Sequence, residues 1–392
     1  MERKVTKINL CIDISNLVPG KGSSGGGIVT YALNLIKSIN NLNFENELEI
    51  ICIKHPDFKG LEMCTHIKFL NRSVKRGIFH RLYWTNIYLP VFCLRKKVDI
   101  LHKVTPELPI IKVCKYVCTL HDLMFAFYNS NRDLRSYLST SEKIKFFLFE
   151  TITKITLNRS SITIVPSQAI KNEVINKYKI SDKKIVVTHE ATEKKTAEED
   201  YSSKINSDTI NIGVIAALHP HKGHLAVLEI ADLFIKSGFT SFKISFRGGV
   251  TFQNYFKKLQ EQIEISGLKN HVFFQQFDPG IKLSQIYSEF DAIMLLSEYE
   301  GFGLPVLEAQ AHNIPVLCSD IPVFKEILGD SAFYISKNQN IGSIKNIITV
   351  LTDRNRLEHY SKKGALNVKN FSWDKMAMET LAVYKQLVHL KK

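Results

Sequence analysis

The sequence predicts an α/β protein of two doubly wound domains in tandem, on three observations. A chain of 392 residues is too long for one ordinary core and suits two domains of about 150 to 200 residues. Short apolar runs alternate with helical patterns twice over, as parallel βαβ units require. Between the two series lies TEKKTAEEDYSSKINSD, at 192–208, which is nearly devoid of large apolar side chains. The expected divisions are therefore 1–191, a linker at 192–208, 209–372 and a last helical segment at 373–392.

In the first half, 8–14 reads as a strand, 20–27 as a glycine-rich loop, and 29–39 as a helix in which Val29, Leu33 and Ile36 recur at helical spacing. Further strands are expected at 48–53, 100–102, 116–120 and 161–165, each followed by polar residues and a longer helical stretch. In the second half the strands are expected at 210–218, 242–246, 272–274, 292–297, 315–318 and 332–334. Ligands of doubly wound sheets lie at the carboxyl ends of the strands, so two such domains facing across a cleft would place the site in that cleft.

Charge separates the halves. Residues 1–191 carry 29 Lys and Arg against 16 Asp and Glu, whereas 192–392 carry 23 against 22. Within the basic half, 63–98 holds Lys68, Arg72, Lys75, Arg76, Arg81, Arg95, Lys96 and Lys97 with no acidic residue, interleaved with Phe79, Leu82, Tyr83, Trp84, Ile87, Tyr88 and Phe92. Three readings fit such a stretch: an interfacial helix on anionic lipid, a nucleic-acid patch, or a solvated helix face. Aromatics among Lys and Arg suit the lipid interface, and no nucleic-acid motif accompanies them, so nucleic acid is not an expected partner. The start of the chain shows no signal-peptide pattern, and no run of about 18 uninterrupted apolar residues suggests a membrane span. Most of the seven cysteines sit in apolar runs as reduced thiols would, which favours the cytoplasm. Cys114 and Cys118 are four apart but have no second Cys or His pair at zinc spacing.

The most specific feature is the run Glu300-Gly-Phe-Gly-Leu-Pro-Val-Leu-Glu308, which follows an expected strand and opens a helix. Pro305 suits the first helical position, placing Glu308 in the first turn and Glu300 on the loop before it. Gly301 and Gly303 allow close approach of a ligand, and the amides of Gly301, Phe302, Gly303 and Leu304 at a helix N-terminus suit a phosphate or a sugar hydroxyl. A plain strand-to-helix connection would also use a Gly-Phe-Gly turn.

This run resembles the glutamate-x7-glutamate signature of the retaining glycosyltransferases of the GT4 family (glycosyl transferases group 1), whose GT-B fold is two Rossmann-like domains. The resemblance extends over 309–330 and 274–291, over 161–190, to Gly25-Gly26-Gly27 before Tyr31, and to Leu120-His121-Asp122. It implies that Glu308 binds the donor's ribose hydroxyls, that Glu300 lies by the transferred sugar and its phosphates, and that Lys222 neutralises the pyrophosphate. It also implies a glycine-rich loop with Gly26 and Gly27 near the donor and places His121 near the reacting centre, with His102 less specifically so. Many relatives have an arginine five residues before that lysine, where this chain has Ala217; His219, His221 or Arg247 could substitute.

The resemblance further implies front-face substitution with retention. No Asp-x-Asp occurs in the chain, so no metal or other cofactor is expected, with Lys222 and helix amides in its electrostatic role. The final helix, 373–390, would cross back onto the first domain. The expected partners are a nucleotide-sugar donor, a glycan or polyprenyl-linked acceptor held by the first domain, and an anionic membrane surface. The expected role is in cell-surface polysaccharide biosynthesis (lipopolysaccharide, O-antigen or capsule), peripheral on the cytoplasmic face of the plasma membrane. The rival is a non-catalytic membrane or scaffold protein with a degenerate GT-B fold, for which Ala217 speaks.

Overall fold

The computed structural model describes residues 7–18, 26–42, 47–74, 77–193, 209–276, 281–337 and 341–389. The chain divides into two compact units: Met1–Phe125 with Phe146–Glu190 and Ser372–Lys392, and Ala126–Lys145 with Ala191–Phe371. Residues 126–145, written in the first half, thus belong to the second unit. The last segment, 373–392, belongs to the first. Gly20 to Gly25, Lys75, Arg76, Leu390 and residues 194–208 of the expected linker lie outside the described residues.

In the first unit, seven parallel strands are β1 (Ile8–Ile14), β2 (Leu48–Lys54), β3 (Lys68–Asn71), β4 (Ile100–Lys103), β5 (Lys115–Thr119), β6 (Ile162–Val165) and β7 (Ile185–Val187), in the order β3-β2-β1-β4-β5-β6-β7. β4 and β6 are buried along their whole length, including the polar His102, Lys103 and Thr163, which find hydrogen-bond partners inside. β3 and β7 were not expected from sequence. Both are short edge strands with partly exposed residues, and an edge needs no apolar run to pair on one side.

Asp13, at the end of β1, is fully buried and accepts from Lys103 Nζ at 2.8 Å, Ser15 Oγ at 2.6 Å and Trp84 Nε1 at 3.2 Å. Burial alone would raise its pKa, but Lys103 and Ser15 hold it below the usual carboxylate range. Trp84 thereby anchors a helical stretch running from Ile78–Tyr83 through the π-helical turn Trp84–Tyr88 to Leu89–Arg95. Pro90 lacks an N–H and would crowd the carbonyl of Asn86, and the wider turn just before it absorbs that conflict. Trp84, Thr85, Leu89, Pro90 and Cys93 face the core, while Phe79, Leu82, Tyr83, Ile87, Val91 and Leu94 face water.

His102, on β4, is fully buried between Tyr384 Oη on the last helix (Trp373–His389) and Thr119 Oγ1 at 2.9 Å. The C-terminal helix is therefore tied to the first unit's sheet, and burial pushes His102 down to about 3.

The second unit has six parallel strands: β8 (Ile210–Ile215), β9 (Phe242–Arg247), β10 (Val272–Gln275), β11 (Ala292–Leu295), β12 (Val316–Ser319) and β13 (Phe333–Ile335), in the order β10-β9-β8-β11-β12-β13. The order reverses between β8 and β11, opening a crevice at their carboxyl ends. Among the described residues, no helix is long and apolar enough to cross a membrane.

Candidate active site

Two loops meet at the crevice of the second unit: the one after β8 carrying Lys222 and the one after β11 carrying Glu300. Lys222 Nζ lies 2.8 Å from each oxygen of the Glu300 carboxylate, and Ser297 Oγ donates to Glu300 Oε1 at 2.7 Å. Glu298 N donates to His221 O at 2.8 Å, binding the loops by backbone as well. Glu300 is buried, whereas the Lys222 side chain keeps 21% of its surface. A buried carboxylate needs this partner, and a partly exposed ammonium can still reach a ligand anion.

Glycine makes the approach possible. Gly223 has φ +72, and a Cβ there would lie 1.8 Å from Leu296 O, so the lysine loop rests directly on the end of β11. Gly303 has φ +98, and a Cβ there would lie 2.7 Å from Phe324 Cε1. Gly303 is the N-cap of the helix Leu304–Ala311, and no side chain caps that end.

Pro305 is the second residue of this helix and Glu308 the fifth. Glu308 therefore lies one residue further in than the spacing suggested, just past the first turn, which holds no acidic residue. Glu308 is half-buried, and its Oε2 accepts from Tyr287 Oη at 2.8 Å. Burial raises its pKa, and the Tyr287 hydroxyl opposes the rise. The His312 ring stacks on Tyr287 at 5.1 Å and bonds the Glu308 carbonyl at 2.7 Å. Phe302 is buried with its ring edge toward Phe371 at 5.8 Å, and Leu304 is also buried, so the side chains of both are committed to packing.

Arg247 is committed elsewhere. Its Nε donates to Gln275 Oε1 at 2.5 Å, its guanidinium pairs with Glu289, and it lies over the Phe290 ring at 5.4 Å. The expectation that it replaces the cation missing at Ala217 thus meets an arginine whose backbone adjoins Ala216 but whose side chain is held by three neighbours. His219 and His221 are kept neutral by burial and by Lys222, which drive His219 down to about 4 and His221 well below the usual histidine range. Neither supplies the missing charge near neutral pH. Lys222, paired with Glu300, keeps its ammonium partly exposed at the crevice.

In the first unit His121 lies between Glu190 Oε1, 2.9 Å from Nδ1, and Val104 O, 3.2 Å from Nε2, with the Tyr31 ring edge-on at 4.7 Å. Gly26 and Gly27 are the exposed first residues of the helix Gly26–Asn41 rather than loop. Sequence reasoning missed Glu190, Ser297 and Tyr287. Ser297 alone had a local signal, as the residue ending a buried strand three positions before Glu300. Among the described residues, no group of three or more His, Cys, Asp or Glu side chains could hold a metal ion.

The family model described as Glycosyltransferase Family 4 matches residues 25–193, and that described as Glycosyl transferases group 1 matches 195–366. The O-antigen chain mannosyltransferase RfbU of Salmonella typhimurium is 25% identical over 349 residues, 86% of this chain and 92% of that protein. The O-antigen biosynthesis glycosyltransferase WclY of Escherichia coli is 26% identical over 390 residues, 95% of this chain and 98% of that protein. Among solved structures, a Rickettsia africae glycosyltransferase superposes with TM-score 0.68 at 19% identity, over 97% of this chain and 99% of that one. Anabaena HepE in complex with UDP and glucose superposes with TM-score 0.69 at 18% identity, over 96% and 99%. From the two matched family models, the two doubly wound sheets and the Lys222–Glu300–Glu308 arrangement, the chain belongs to the GT4-type glycosyltransferases, the group 1 glycosyl transferases of GT-B fold.

Proposed function

We propose that this enzyme moves a sugar from a nucleotide-sugar donor, with retention and without a metal, to a hydroxyl of a glycan or lipid-linked glycan in cell-surface polysaccharide assembly. The observation that carries the reading is the Lys222–Glu300 pair at the crevice, with Glu308 one helical turn beyond Gly303. As the bond from the sugar's anomeric carbon to the diphosphate breaks, negative charge gathers on the leaving oxygen, and Lys222 stabilises it without any metal. The acceptor oxygen bonds to that carbon on the face the diphosphate leaves, and its proton passes to the diphosphate. Glu300 serves the departing sugar and Glu308 accepts from the ribose hydroxyls, while His121, paired with Glu190, is the first unit's candidate for the reacting centre.

The names of RfbU and WclY support the O-antigen context, and the UDP and glucose bound to HepE support a nucleotide-sugar donor. An anionic membrane at the cytoplasmic face is the surface on which a lipid-linked acceptor is met. Phe79, 82% exposed, and Leu94, 61% exposed, mark the ends of an apolar helix stripe, with Arg95, Lys96 and Lys97 exposed beside it. Apolar insertion plus Lys and Arg on anionic headgroups is the pairing such a surface uses.

The test incubates purified protein with labelled UDP-, GDP- and ADP-sugars and a membrane extract from a polysaccharide-producing bacterium, then reads product by chromatography and its anomeric configuration by NMR. A product keeping the donor's configuration, formed equally with EDTA present, is expected. An inverted product or loss of activity in EDTA would overturn retention or metal independence. Flotation with phosphatidylglycerol vesicles at low salt, weakened when Phe79 and Leu94 are changed to Ser, checks the membrane surface.

A further inference from the structure

Residues 126–145 are written between His121 and the remainder of the first unit, yet they belong to the second. Their placement there is specific. Tyr128 is fully buried, its hydroxyl 3.0 Å from His221 Nδ1, and the backbone N–H of His221 points at the same oxygen from 3.4 Å. Because that N–H needs an acceptor, the Tyr128 hydrogen goes to Nδ1, leaving the imidazole proton on Nε2. Burial and Lys222 keep this ring neutral, as the arrangement requires. One residue away, the Phe127 ring stacks on Tyr299 at 4.6 Å and 17°. Tyr137 sets its ring against Tyr255 at 5.1 Å, fixing the segment at a second point.

The partners are the residues immediately before Lys222 and Glu300. Each aromatic holds the residue next to one member of the ion pair. We infer that Tyr128 and Phe127 are positioning residues that clamp the Lys222 and Glu300 loops in the geometry that receives the donor diphosphate. This rests on the donor reading given above. It also gives a reason for the second unit to take in residues 126–145, since Phe127 and Tyr128 are what hold the two loops.

The experiment uses the full-length protein with UDP, GDP and ADP as probes, titrated calorimetrically against wild type, Tyr128→Phe, Phe127→Leu, Lys222→Met and Tyr128→Phe/Lys222→Met. Tyr128→Phe keeps the ring and deletes one hydroxyl, so its Kd for the probe that binds wild type is expected to rise about five- to tenfold, the worth of one buried hydrogen bond. Donor KM should rise with it while acceptor KM stays at the wild-type value. The double variant should bind no more weakly than Lys222→Met alone, because the tyrosine acts through the lysine. Phe127→Leu, which keeps apolar bulk, should weaken binding in the same direction should Tyr128→Phe fail to fold. Wild-type affinity in both variants, or full multiplication of the two effects in the double variant, would overturn the clamp. A wild type that binds none of the probes would overturn the donor reading, and the clamp with it.

Discussion

Replacing Lys222 by Met isolates the contribution of the ion pair. Glu300 is 7% exposed, and its carboxylate takes two contacts at 2.8 Å from Lys222 and one at 2.7 Å from Ser297. Removing one member of a buried pair costs about 3–5 kcal/mol, because the other charge stays uncompensated. Lys222 is 21% exposed, so water reaches the gap and the loss falls at the low end, about 3 kcal/mol. At 2–4 °C per kcal/mol for a domain of this size, the second unit's melting transition should fall by about 6–12 °C. Adding Glu300→Gln removes the stranded charge while an amide still accepts from Ser297, and most of that loss should return. Nucleotide binding should not return with it, since a cation about 4 Å from a phosphate contributes about 4 kcal/mol at an effective dielectric of about 20. Scanning calorimetry of the three variants with and without nucleoside diphosphate reads both quantities. A Lys222→Met transition within about 2 °C of wild type, or no recovery on adding Glu300→Gln, would refute the reasoning.

Further outcomes follow from the same geometry. Gly223→Ala places a Cβ 1.8 Å from Leu296 O at φ +72 and should cost more than about 3 kcal/mol, whereas Gly249→Ala, with nothing within 4 Å, should be neutral in the same melting assay. Burial, chiefly, lowers the pKa of His102 to about 3, His219 to about 4 and His224 to about 3, and that of His221 well below the ordinary value. The unfolded chain then binds protons near pH 6.5 that the folded one refuses, so stability present above pH 6.5 is lost as pH falls, by up to about 1.4 kcal/mol per pH unit for each histidine. Melting temperatures that stay flat from pH 6.5 to 5 would contradict this. Tyr287→Phe removes the hydroxyl that opposes the burial-driven rise of Glu308. Nucleotide binding, which needs the carboxylate, should therefore weaken on acidification at a higher pH than in wild type, as read by calorimetric titration at stepped pH.

Much of this was legible in the residues. The apolar runs of β8 and β11 gave the strands, and Gly-Phe-Gly between two glutamates gave the turn and helix start, because glycine and proline act locally. Lys222 and Glu300 were legible as separate motifs 78 positions apart, and their contact then followed from which strands are neighbours. What stayed hidden was long-range or one-sided. His102 finds Tyr384 across 282 positions, and nothing near either residue announces the other. The sequence divided the chain once, at 192–208, and nothing in 126–145 announced that this segment packs with the second unit. Arg247 was offered as one of three possible substitutes for the cation missing at Ala217, and its partners Gln275, Glu289 and Phe290 could not be seen from the sequence. Glu308 moved from fourth to fifth helical residue because the helix starts at Leu304, one residue before the expected Pro305, with Gly303 as its N-cap.

The central claim is that the second unit's crevice binds a nucleotide-sugar donor through Lys222, Glu300 and Glu308, and a thermal-shift panel of UDP, GDP, ADP, CMP, dTDP and their sugar conjugates on wild type and Glu308→Ala tests it most directly. Selective stabilisation of wild type by the nucleotides of one base, at about 2.7 kcal/mol when ligand is 100-fold above Kd, and its loss in Glu308→Ala are the predicted result. Equal stabilisation of both proteins, or none of wild type by any nucleotide, would contradict the account.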